Sequence, residues 1–135
     1  ASDVYKRQVL AVARGGGRRN AQICRSQPPY QKWQRKDLDR YIGGPLLVRW
    51  GPRDRYVVGG RKTIGDRGPK TSMCWLVGDE LHEFTELPSG GDNSYPGFIE
   101  ISPRRAIMSW YSSHEKDEDG KTITAIYMAN LEIVE

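Results

Sequence analysis

The chain has 135 residues, 37% of them hydrophobic and 28% charged, with 15 Gly and 8 Pro: enough for one folded domain with a core of its own. No apolar run approaches the ~20 residues of a membrane-spanning helix, so no membrane span is expected. The net charge of +4 is unevenly divided, with 17 Lys/Arg against 5 Asp/Glu in residues 1–70 and 4 against 12 in residues 71–135. The basic residues are scattered over expected turns and strands without a helical stripe or a binding motif, so no nucleic-acid partner is expected.

In chain order, residues 1–8 (Ala-Ser-Asp-Val-Tyr-Lys-Arg-Gln) look like translated sequencing-adapter DNA. They are expected to be a non-native leader, with the natural start upstream and the fold occupying residues 9–135. Gly15-Gly-Gly17 reads as a turn between strands. Leu46 to Trp50 is apolar enough for a strand buried on both sides, Gly51-Pro-Arg-Asp54 makes a turn, and Arg55 to Gly60 returns. After a Gly/Pro/Asp loop come Ser72 to Val77 and, across Gly78-Asp79, Leu81 to Leu87. The last strands are expected at Gly97–Ile101, Ala106–Tyr111, Thr122–Ala129 and Leu131–Val134. No segment sustains a helical period. Cys24 and Cys74 read as small core residues, and His82 and His114 lack companions at metal-ligand spacing, so neither metal nor cofactor is expected.

The chain also repeats itself. A shift of 51 lays Pro45-Leu-Leu-Val-Arg-Trp-Gly-Pro-Arg53 on Pro96-Gly-Phe-Ile-Glu-Ile-Ser-Pro-Arg104, and Lys70-Thr71 on Lys121-Thr122. A fainter copy lies upstream: Leu10-Ala-Val-Ala-Arg14 against Val57-Val-Gly-Gly-Arg61, and Ala21–Cys24 against Thr71–Cys74. Four strands recurring every ~50 residues predict propeller blades, a longer period than a β-helix or stacked hairpins usually show. The expected fold is therefore all-β: the last two blades and part of a third from a β-propeller, built of antiparallel four-stranded sheets.

Several stretches resemble the sialidase (neuraminidase) superfamily, whose propeller has six blades. Ser26-Gln-Pro-Pro-Tyr-Gln-Lys-Trp33 keeps the Ser and Trp of the family's Asp-box, with Pro28 and Tyr30 in place of its Asp and Gly. Leu87-Pro-Ser-Gly-Gly-Asp-Asn-Ser-Tyr-Pro-Gly97, Ser109-Trp-Tyr-Ser-Ser-His-Glu115 and Thr124–Ala129 look like the closing blade of bacterial sialidase-like proteins. Gly43-Gly-Pro45 and Gly60-Arg61 fit the blade before it. The resemblance spans residues 9–135 and implies an exo-glycosidase acting on a glycan, with a sialoside as substrate. It further implies a secreted or periplasmic location, and N-terminal blades of the same protein that complete the ring.

The resemblance also assigns chemistry. Arg14 and Arg61 share a repeat position and are expected to grip the sugar carboxylate, a task suited to a planar, permanently charged fork. The third arginine of the family is expected outside this chain. Tyr95 takes the place of the tyrosine nucleophile; a phenol titrating near ~10 needs a neighbouring base, which the family supplies as a glutamate from a segment absent here. Glu115 resembles the glutamate that steadies an arginine, Ser112 is the repeat counterpart of Arg61, and Asp92 offers polar support. The same residues have plainer explanations: solvated strand-end arginines, a core tyrosine before Pro96, and turn carboxylates at Asp92 and Glu115. A non-catalytic propeller that binds glycans or proteins thus stays open beside the glycosidase.

Overall fold

A computed structural model describes residues 7–63 and 65–134, so the expected leader lies outside the described residues for its first six positions. Ten strands are described, in three antiparallel sheets. The first sheet holds β1 (Val9–Ala13), β2 (Gln22–Ser26) and β3 (Trp33–Asp37). The second holds β4 (Gly43–Trp50), β5 (Arg55–Lys62), β6 (Lys70–Val77) and β7 (Glu80–Glu86) in sequence order. In the third, β9 (Arg105–Lys116) runs between β8 (Ser94–Ser102) and β10 (Thr122–Glu132). One short 3-10 turn, Gly16–Arg18, is the helical content of the described residues, and no helix there is long and apolar enough to cross a membrane.

The repeat is present in the backbone. β4 and β8 each break register at the same place, between Gly43 and Leu46 and between Ser94 and Gly97. A shift of 51 sets Gly44 on Tyr95, and both have positive φ, +57° and +47°. By the same correspondence β1 matches β5 and β2 matches β6. The first sheet therefore begins at the counterpart of the second strand, and Arg14 follows the first described strand of its sheet.

One expectation is corrected. The third sheet has three strands, because Thr122–Ala129 and Leu131–Val134 are not two strands but one, β10 to Glu132. The reason is phase. Ala129, Leu131 and Ile133 all pack inward, while Asn130 sits opposite Ile107 on the outer face, so alternation runs on without a turn.

The second sheet lies between the other two, and its central strands bury successive residues on both faces, Val57 and Val58 on β5 and Met73 and Cys74 on β6. Val58, Cys74, Leu76 and Leu81 pack against Ala21, Ile23, Leu38 and Ile42 around the first sheet. On the opposite face Trp50, Val57 and Met73 meet Ala106, Met108 and Trp110 of the third sheet. Trp50 stacks on Trp75 at 5.8 Å and meets the edge of Phe98 at 5.3 Å, so these rings pack between sheets. Cys24 and Cys74 are buried free thiols, and burial pushes Cys74 up to about 11. The first strands of successive sheets also lie side by side, β1 against β4 and β4 against β8, which gathers their ends in one place.

Candidate functional site

At that gathering point, β1 and β5 end while β4 and β8 begin. Tyr41, two residues before β4, is 7% exposed. The Arg14 guanidinium lies over its ring, 5.5 Å from the centroid, and Arg61 Nη2 donates to its hydroxyl at 3.4 Å. Two arginines 47 positions apart thus meet on one tyrosine. Gly43 leaves room for this: a Cβ there would stand 2.7 Å from Arg61 Nη2 and 2.9 Å from the Tyr41 hydroxyl. Burial alone would raise the Tyr41 phenol; the Arg61 hydrogen bond and the charges of Arg14 and Arg61 outweigh it and hold the phenol below its usual range.

Arg61 is fixed from its other side by the strap 87–94. Its Nη1 donates to the Asn93 carbonyl at 3.1 Å and lies 3.6 Å from the Asp92 carboxylate. Asn93 is itself fully buried, accepting from Thr71 Oγ1 and donating to the carbonyls of Pro69 and Gly91. Ser89 Oγ accepts from the Thr71 backbone N–H at 2.9 Å, and Ser94 Oγ donates to the Gly43 carbonyl. Asp92 in turn accepts from the Tyr111 hydroxyl at 2.5 Å, and Tyr111 stacks on Tyr95 with ring centres 5.9 Å apart. Burial and the Asp92 carboxylate push the Tyr111 phenol above its usual range.

The expected site residues divide accordingly. Arg14, Arg61 and Asp92 form one cluster, and Tyr95 joins it through Tyr111. Tyr95 is 68% exposed, and its hydroxyl has no hydrogen bond among the described residues, so no carboxylate base stands beside it there. Ser112 is placed elsewhere: it is fully buried, and its hydroxyl accepts from the Gly90 N–H at 3.0 Å and meets His114 Nδ1 at 2.7 Å. One residue further along the strand than Tyr111, it faces the opposite side of the sheet and anchors the strap rather than a ligand. Glu115 is exposed and lies 3.8 Å from His114 Nε2, and no ion pair joins it to Arg14 or Arg61 among the described residues.

Arg14, Tyr41 and Arg61 line a cavity of about 740 Å³ together with Arg18, Gly68 and Gly91. Arg18 is a third guanidinium on this wall, on the turn after β1, and the sequence carries no pattern that would single it out. Neither Arg14 nor Arg18 has a carboxylate partner among the described residues, so Asp92 balances only part of the charge. Such a wall draws anions. Tyr41 and Tyr111 are likewise unassigned by the family likeness. For Tyr41 a signal exists, since a shift of 51 sets it on Asp92, and both contact Arg61.

A second hollow, about 550 Å³, is bounded by the Ser26–Trp33 loop, where Ser26 Oγ donates to the Lys32 carbonyl at 2.6 Å. Arg14, Arg61 and Tyr95 take no part in it. No protein-family model, no curated protein and no solved structure matches the chain.

Proposed function

We propose that this chain carries the closing blades of a six-bladed propeller glycosidase of the sialidase type. Arg14 and Arg61 would hold the sugar carboxylate, and Tyr95 would attack the anomeric carbon with retention. Further blades of the same protein would supply the acid/base aspartate and the glutamate that takes the tyrosine's proton. The observation that carries this reading is the meeting of Arg14 and Arg61 on Tyr41, at the wall of one cavity with surplus positive charge. An anion held by two planar forks is what that arrangement suits. The left-handed backbone of Tyr95 also supports it, because such strain in a non-glycine residue commonly marks a functional position. Exposed Ile99, Ile126 and Met128 on the outer face of the third sheet are in keeping with neighbouring blades.

One observation favours the non-catalytic reading, in which the same pocket only binds an acidic glycan: the Tyr95 hydroxyl has no carboxylate partner among the described residues. Hydrolysis of a fluorogenic aryl sialoside by the whole protein separates the two. The glycosidase reading expects turnover that Tyr95→Phe abolishes. Binding without turnover selects the glycan-binding module, and turnover unchanged in Tyr95→Phe removes the mechanism.

A further inference from the structure

Tyr41 stands apart from the residues to which the proposed reaction gives a role, yet the pocket is built on it. Its ring seats Arg14 and its hydroxyl oxygen accepts from Arg61, so one side chain sets the spacing of two guanidiniums. The hydroxyl proton remains unspent. The oxygen is used as an acceptor, and the proton has no acceptor among the described residues, although the side chain is nearly closed to solvent and borders the cavity. A hydroxyl whose oxygen already accepts keeps its one proton to donate, and here that proton can reach a molecule in the cavity. Gly43 keeps this contact open, because any side chain there would push between Arg61 and the phenol.

We propose that Tyr41 is a binding residue of the cavity, donating its hydroxyl proton to a bound carboxylate while positioning Arg14 and Arg61 around it. The proposal rests on the reading that those two arginines hold an anion. It assigns the ligand class as a small carboxylic acid. A carboxylate has two in-plane oxygens, and the pocket offers two planar forks and one phenol donor to meet them. With the oxygen accepting from Arg61, the phenol is polarised toward donation, in keeping with the direction of its shifted titration.

The test is equilibrium titration of the chain with N-acetylneuraminate, its methyl ester and inorganic phosphate, for wild type, Tyr41→Phe and Arg61→Gln. Tyr41→Phe keeps the ring under Arg14 and removes only the hydroxyl. The expected result is binding of the free acid over the ester and phosphate, weakened about tenfold in Tyr41→Phe, the size of one hydrogen bond to a charged group. A second readout is the titration of the phenols. The free acid raises the titration midpoint of one wild-type tyrosine, since a bound anion disfavours phenolate, and this response is missing in Tyr41→Phe. Equal affinity in Tyr41→Phe with an unmoved titration overturns the role of Tyr41 and leaves the arginine reading standing. A loss of affinity without the titration response overturns direct contact. Phosphate bound as tightly as the acid overturns the carboxylate assignment. No binding to wild type, or none lost in Arg61→Gln, overturns the arginine reading itself.

Discussion

Tyr95 occupies a backbone conformation that its counterpart Gly44 adopts at no steric cost. For a residue with a Cβ this region costs roughly 1–2 kcal/mol, and the exposed ring recovers part of it by stacking on Tyr111. Tyr95→Gly should therefore leave stability within about 1 kcal/mol of wild type, unlike the truncation of a buried aromatic, while abolishing any turnover. Thermal melts paired with the sialoside assay check this. A loss of several kcal/mol would mean that Tyr95 is a packing residue. Arg14 and Arg61 are legible in the sequence because a repeat converts like position into proximity. Comparison by residue type passes over Tyr41, because it aligns a phenol with the carboxylate of Asp92 although both serve the same arginine. Ser112, which the same arithmetic sets on Arg61, has its side chain on the buried face of β9, bonded to the Gly90 N–H.

Among the elements, β5 and β7 are tied across β6 by Lys62. Its ammonium, 8% exposed as a residue, lies 2.8 Å from both Glu83 and Glu86, and Arg40 reaches Glu83 at 2.9 Å. Burial alone would raise Glu83; hydrogen bonds from Lys62 and Arg40 outweigh it and hold the carboxyl below its usual range. Glu86 is held low chiefly by its hydrogen bond from Lys62. Depressed carboxyls contribute stability that is fully present above the ordinary glutamate value of about 4.3 and is lost as pH falls through their folded values. Lys62 is shifted up against the cost of burial by its bonds to the same glutamates, so its share is lost only as pH rises through its folded value. The melting temperature should be flat near neutrality and fall in acid, and Glu83→Gln should lower the plateau and shrink the acid slope. Parallel profiles for wild type and variant would show that the network does not couple to folding. Strand positions here were readable from alternation and turn residues, as in the Gly51–Asp54 turn, where Asp54 N–H bonds the Gly51 carbonyl at 3.0 Å. The length of β10 was not, because Asn130 looks like a turn signal until its outward phase is known.

Across the whole molecule, two buried clusters hold three sheets in a stack, and the strand ends meet where β1, β4 and β8 run side by side. Arg14 and Arg61, 47 apart in sequence, meet on Tyr41 because successive sheets bring like positions to a common place, and the proposed ligand contact depends on that meeting. The all-β class was legible from the missing helical period and the ~50-residue repeat, and the two-sided packing of β4 from its apolar run, in which Leu47 faces one core cluster and Leu46 and Val48 the other. The strap 87–94 was legible only as a familiar stretch; its work, fixing Arg61 through the buried Asn93, emerges from contacts between sheets. The most direct test is a double-mutant cycle on the affinity for N-acetylneuraminate, with Arg14→Gln, Arg61→Gln and the pair. Guanidiniums sharing one carboxylate should be coupled by at least about 1 kcal/mol, so that the second substitution costs less once the first is made. Strictly additive losses, or a loss from only one of the two, would contradict convergence on a single anion.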